Sequence, residues 1–103
     1  MLNLCGKTVD GKLVIAGIYR EHETTGIPLD VILEVIRDRG YVPDWYSFAV
    51  EAVEAGMSLR RAISKLEPAV ADVFGREIRD VVVARLSTGI EKDDAWRKSR
   101  GRG

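Results

Sequence analysis

His22 stands between Glu21 and Glu23, and it is the one histidine of the chain. An imidazole beside carboxylates is where a metal or a proton relay would begin, but the spacing argues against both. Neighbouring residues on a helix point to different sides, and a metal site normally needs three or four converging ligands. No second histidine exists, and Cys5 is the only cysteine. As a nucleophile Cys5 would need a base, and nothing in the spacing brings His22 to it. Cys5 reads as a passive apolar thiol and His22 as an ordinary boundary residue. Asp30, Glu34 and Asp38 follow one another at i, i+4, a pattern that is solvated on a polar helix face and mildly self-repelling. The phosphate-binding patterns G-x-x-x-x-G-K-[ST] and G-x-G-x-x-G are absent, as are G-x-S-x-G and H-E-x-x-H. No catalytic residue, metal ligand or cofactor is therefore expected.

The basic residues offer a sharper pattern. Ala52 to Leu66 reads as helix, glycine turn and second helix, the outline of a helix-turn-helix. Ala52 is the small residue four places before the turn glycine, Gly56, and Ser58 follows the turn. In such a motif the second helix enters the major groove. Its outward residues here would be Arg60, Arg61, Ser64 and Lys65, all able to contact bases or phosphates. Against this, Ala62 occupies a position that is usually β-branched, and Glu51 and Glu54 put negative charge on the first helix. Helix–glycine–helix joints also occur in any helical bundle.

The elements that would carry these residues are legible from apolar spacing. Leu29, Ile32, Leu33 and Ile36 repeat at i, i+3, i+4, i+7, the signature of an amphipathic helix. Pro28 suits its first turn and Gly40 its end. Trp45, Phe48, Ala49, Ala52 and Val53 form a second stripe after Pro43. Leu59, Ala62, Ile63 and Leu66 form a third behind Ser58, which has the identity of an N-cap. Val70, Val73, Phe74, Ile78, Val81, Val82 and Leu86 form a fourth beyond Pro68, with Gly75 inside it. Near the start, Asp10 as N-cap would begin a helix running to Glu23. The alternative is a hairpin turn at Asp10-Gly11 pairing Leu4–Val9 with Lys12–Ile18. The expectation is an all-α, orthogonal bundle of four to five helices over residues 12–23, 28–39, 43–55, 58–66 and 68–86. An extended lead-in precedes it, and the alternative adds a short N-terminal β-hairpin. Residues 1–89 form the single domain, and the polar stretch 90–103 reads as a disordered tail.

The chain of 103 residues has no net formal charge, but the charge is unevenly placed. Arg20 to Gly56 holds 3 basic and 8 acidic residues, a net −5, and Met57 to Gly103 holds 11 and 7, a net +4. Such asymmetry steers an oppositely charged partner to one end and equally supports head-to-tail self-association. No apolar run approaches the ~20 residues that span a bilayer, so no membrane partner is expected. The single cysteine and the missing signal-peptide pattern suggest a cytoplasmic protein.

Val31 and Val35 lie outside the apolar stripe of their helix, and Tyr41 and Tyr46 lie off the stripe of the next. Unless further helices cover them, they form an exposed surface suited to a partner. The sequence thus predicts a non-catalytic binding or accessory module. It would act through a protein partner or as a homodimer, with Val31, Val35, Tyr41 and Tyr46 at the interface. The alternative is a small DNA-binding regulator using Arg60, Arg61, Ser64 and Lys65.

Overall fold

A computed structural model describes residues 2–100, with side chains over 2–88. The chain runs β1 (Asn3–Lys7), β2 (Leu13–Ala16), α1 (Ile18–Thr25), α2 (Leu29–Asp38), β3 (Val42–Pro43), α3 (Trp45–Glu54), α4 (Leu59–Phe74) and α5 (Arg76–Arg100). It is mostly helical, with a small sheet in the order β1-β2-β3.

The N-terminal region corrects the helix expected over 12–23, because the hairpin forms instead. β1 and β2 pair antiparallel, with an irregularity between Leu4 and Gly6. The connecting turn is closed by the Thr8 N–H donating to the Lys12 carbonyl at 2.8 Å and by the Gly11 N–H donating to the Thr8 carbonyl at 3.0 Å. Two features decide for the strand. Val14 and Ile15 are β-branched, which suits a pleated surface better than a helix turn. β2 also gains a second, parallel neighbour in β3, and this pairing joins residues too far apart in sequence for local propensity to foresee. The helix starts only after Gly17, whose φ of +85° turns the chain out of the sheet. That turn puts Ile18 at zero exposure and Tyr19 nearly so.

The second correction concerns Pro68, expected to separate helices 58–66 and 68–86. α4 runs through it unbroken from Leu59 to Phe74. An interior proline forfeits one helical hydrogen bond and crowds the preceding turn. Here, however, Leu66, Ala69 and Val70 on either side of Pro68 are buried, and their packing holds the helix together. The break falls instead at Gly75, with φ +94° and ψ +166°, backbone space open essentially to glycine alone. The expected ends of α2 and α3 agree with the structure to within a few residues. Asp44 caps α3 by accepting from the Ser47 N–H at 3.3 Å. Ser58 caps α4 by accepting from the Arg61 N–H at 3.2 Å.

The core gathers Ile18 and Tyr19 of α1, the Leu29–Ile36 stripe of α2, Phe48, Ala49 and Ala52 of α3, and Ala62, Leu66 and Val70 of α4, closed by Val82 and Leu86 of α5. Phe48 has no exposed surface and meets the Tyr19 ring edge-on, with centroids 5.5 Å apart. Arg37 ties α2 to the end of α4 by donating to the Val73 carbonyl at 3.0 Å. α5 is helical to Arg100, while the disordered tail expected over 90–103 falls where side chains lie outside the described residues.

Two substitutions test this architecture in denaturant unfolding. Gly75→Ala is expected to cost about 1–3 kcal/mol through backbone strain alone, since a Cβ there meets no neighbouring atom. Phe48→Ala is expected to cost about 3–5 kcal/mol as the core is left with a cavity.

Candidate functional site

The residues with chemical potential are dispersed. His22 uses Nδ1 to reach the Ile27 carbonyl at 2.7 Å. A carbonyl only accepts, so that nitrogen carries the proton and the ring serves to close the α1–α2 loop. Cys5 is exposed, and its Sγ donates to Asp44 Oδ2 at 3.5 Å. Partial burial, followed by the Asp44 hydrogen bond and charge, pushes the thiol pKa up, which works against the thiolate a nucleophile needs. Among the described residues, no three His, Cys, Asp or Glu side chains gather where they could hold a metal ion.

Glu51 on α3 is a carboxylate altered by its surroundings. Its side chain is 13% exposed, with Oε1 4.0 Å from Arg20 Nε, and Oε2 is buried without a hydrogen-bond partner. Burial raises its pKa, and the opposing Arg20 charge offsets this only in part.

Arg60, Arg61, Ser64 and Lys65 are all exposed on α4, but the helix spreads them over an arc of about 140°. Arg60 and Ser64 line a groove against Ser87 of α5. Lys65 turns the other way, with Nζ 3.5 Å from Glu23 Oε1 and 6.0 Å from the centre of the Tyr19 ring. The helix they ride on is 16 residues long, longer than the expected 58–66, and its second half is packed into the core.

Val31 and Val35 are 42% and 43% exposed. At 100° per residue they are turned about 120° away from the buried stripe of α2, so α2 carries two apolar faces and buries one. Val35 continues into a groove of about 200 Å³ with Leu2, Leu4 and Tyr41 along its wall. Leu4 is 56% exposed and Ile27, at the other end of the stripe, 40%. Tyr41 therefore joins Val31 and Val35 on one surface. Tyr46 does not, because it lines a separate cavity with Trp45 and Arg85.

Sequence reasoning missed this second cavity. Ile78 and Val81, expected in the buried stripe of α5, are 44% and 49% exposed, and Val53, expected inside on α3, is 39% exposed. Periodicity marks a face as apolar without saying whether another element covers it. Next to Ile78, Trp45 meets Phe74 edge-on at 5.6 Å, on the wall of a cavity of about 430 Å³.

No family model matches the chain, and no solved structure matches it. Over 71 residues it is 35% identical to the alanine–tRNA ligases of Tropheryma whipplei strains Twist and TW08/27. That stretch is 69% of this chain, and it spans 8% of the length of these curated relatives. Among the described residues, no helix is long and apolar enough to cross a membrane.

The Glu51 carboxylate yields a pH prediction. A folded-state pKa raised above the unfolded one means that the folded chain binds the proton more tightly, so ionisation costs stability. The Glu51 contribution to stability should fall as pH rises through the carboxylate range toward neutrality. Glu51→Gln should flatten that decline and unfold at a higher temperature than wild type at pH 7, as read by thermal denaturation at several pH values.

Proposed function

We propose that this protein is a non-catalytic binding module that acts through protein–protein contact at the second apolar face of α2. One observation carries the reading: Val31 and Val35 stand in the open on a helix whose other apolar face already fills the core. With Ile27 and Leu4 they make a run of exposed aliphatic surface that a partner would remove from water. Tyr41 at its edge offers a rigid aromatic contact of the kind enriched at interfaces. The likeness to a stretch making up 8% of alanine–tRNA ligases is in keeping with an accessory module. Cys5, exposed and unpaired, suits the reducing conditions of the cytoplasm.

A second reading is a nucleic-acid-binding module, favoured by the exposed Arg60 and Arg61 beside the capped turn at Ser58 and by the tRNA in the name of those relatives. The scattering of the four basic and polar side chains around α4 makes it the weaker of the two.

Mass measurement in solution separates them. For the first reading, Val31→Asp with Val35→Asp should abolish association while preserving the helical circular dichroism, and Arg60→Glu with Arg61→Glu should leave association intact. For the second, the arginine variant should lose an affinity for DNA or RNA that otherwise falls steeply with salt.

A further inference from the structure

α4 and α5 are joined by a single residue, Gly75. Helical hydrogen bonds reach it from both sides. Its N–H donates to the Ala71 carbonyl at 3.0 Å, and its carbonyl accepts from the Arg79 N–H at 3.1 Å. The Gly75 backbone, at φ +94° and ψ +166°, makes the turn. That turn folds α5 back onto α4 and α3 and buries Val82 and Leu86. The apolar periodicity nevertheless continues through it. At 100° per residue, Val70, Phe74, Ile78 and Val81 fall within about 80° of one another on a helix running straight through Gly75. In the hairpin that line is cut: Val70 has no exposed surface, while Ile78 and Val81 are exposed.

One contact fits only the bent form. Arg37 of α2 donates to the Val73 carbonyl at 3.0 Å. The last four carbonyls of a helix have no partner within it, and Val73 is among these residues because α4 stops at Phe74. In an unbroken helix the same carbonyl would accept from the Glu77 N–H. Arg37 is therefore a latch on the hairpin, steadied by Asp38 at 2.9 Å and Glu34 at 3.8 Å.

We propose that Gly75 is the hinge of a domain exchange between two copies of this chain. In the exchanged dimer α4 and α5 straighten into one helix. Each α5 then packs on α3 and α4 of the other copy, as it packs on its own in the monomer. Covalent continuity names the occupant: the surface of α3 and α4 that receives α5 is already matched to it, and a second copy carries another α5. A one-residue connection invites such exchange, because it can straighten and cannot stretch. Reciprocal exchange closes at two copies. It needs nothing from Val31 and Val35.

Gly75→Ala sets the two forms against each other, since alanine is poor at this φ and the best helix former. Each dimer relieves two hinges. The variant should therefore dimerise more than about thirtyfold more tightly than wild type, as read by light scattering from roughly 10 µM to 1 mM. Arg37→Met, which opens the latch and keeps the aliphatic stem, should strengthen dimerisation several-fold. Two glycines inserted after Gly75 let the hairpin form without strain, and that chain should stay monomeric. Adding Val31→Asp and Val35→Asp to Gly75→Ala should leave the dimer in place.

Spin labels identify the exchange. Arg60 and Ser87 line one groove in the hairpin and stand about 40 Å apart on a straight helix. Labels are attached to Arg60→Cys and Ser87→Cys in a Cys5→Ser chain carrying Gly75→Ala, diluted into an excess of unlabelled chain with Gly75→Ala. The distance within one chain should be about 40 Å. A dimer whose labels stay close overturns the exchange, and its loss with Val31→Asp and Val35→Asp assigns it to the α2 face. If Gly75→Ala does not fold, wild type and Arg37→Met are refolded at about 1 mM and measured in the same way. Monomers alone in every folded chain overturn the proposal and leave the α2 reading standing.

Discussion

The architecture hangs on the small, fully buried face of α3. Phe48, Ala49 and Ala52 present one large ring and two methyl groups to their neighbours, and α1, α4, α5 and β2 all pack against this helix. The alanines let backbones approach closely, while Phe48 fills the centre and meets Tyr19 edge to face. Ala62 of α4, also at zero exposure, continues the same small-residue packing. With a single helix taking four neighbours, the outer elements need bury only one side each. Among the described residues, Val31 and Val35 of α2 and Ile78 and Val81 of α5 stay exposed on the far sides of their helices.

The short sheet is the second anchor, and it is set by connections distant in sequence. β2 is held on one side by β1 and on the other by the brief parallel bridge to β3. The Asp44 N–H then donates to the Ile15 carbonyl at 2.8 Å. Asp44 is also the cap of α3, so one residue joins the sheet to the start of the central helix. Its remaining oxygen accepts from Cys5, which ties β1 to the same point. A carboxylate engaged in this way is part of the scaffold, and its hydrogen bond and charge add to the partial burial that raises the pKa of Cys5.

The surface inherits its character from this arrangement. Of the chemically capable side chains, His22 closes a loop, Cys5 is held as a thiol and Glu51 is half-buried beside Arg20. Two apolar surfaces stay open: the α2 stripe with Leu4 and Ile27, and the aromatic-walled groove beside Ile78 and Val81.

Much of the fold was readable in the residues themselves. The stripes of α2 and α3, the cap at Ser58, and the ends marked by Gly40 and Gly56 all follow from local physics: helical periodicity, side-chain capping and glycine's access to positive φ. The second apolar face of α2 was legible too, because Val31 and Val35 exceed what one buried stripe requires. Three matters were decided by tertiary structure. Whether Val14 and Ile15 were helix or strand depended on β1 and β3. Whether Pro68 or Gly75 ended α4 depended on the packing around Leu66 and Val70, since buried neighbours outweigh a local penalty of about 3 kcal/mol. Whether Ile78 and Val81 were buried depended on which helix would lie over them, and among the described residues both stay exposed. Spacing tells a residue which way to face along its own element, and only the assembled fold determines what stands opposite.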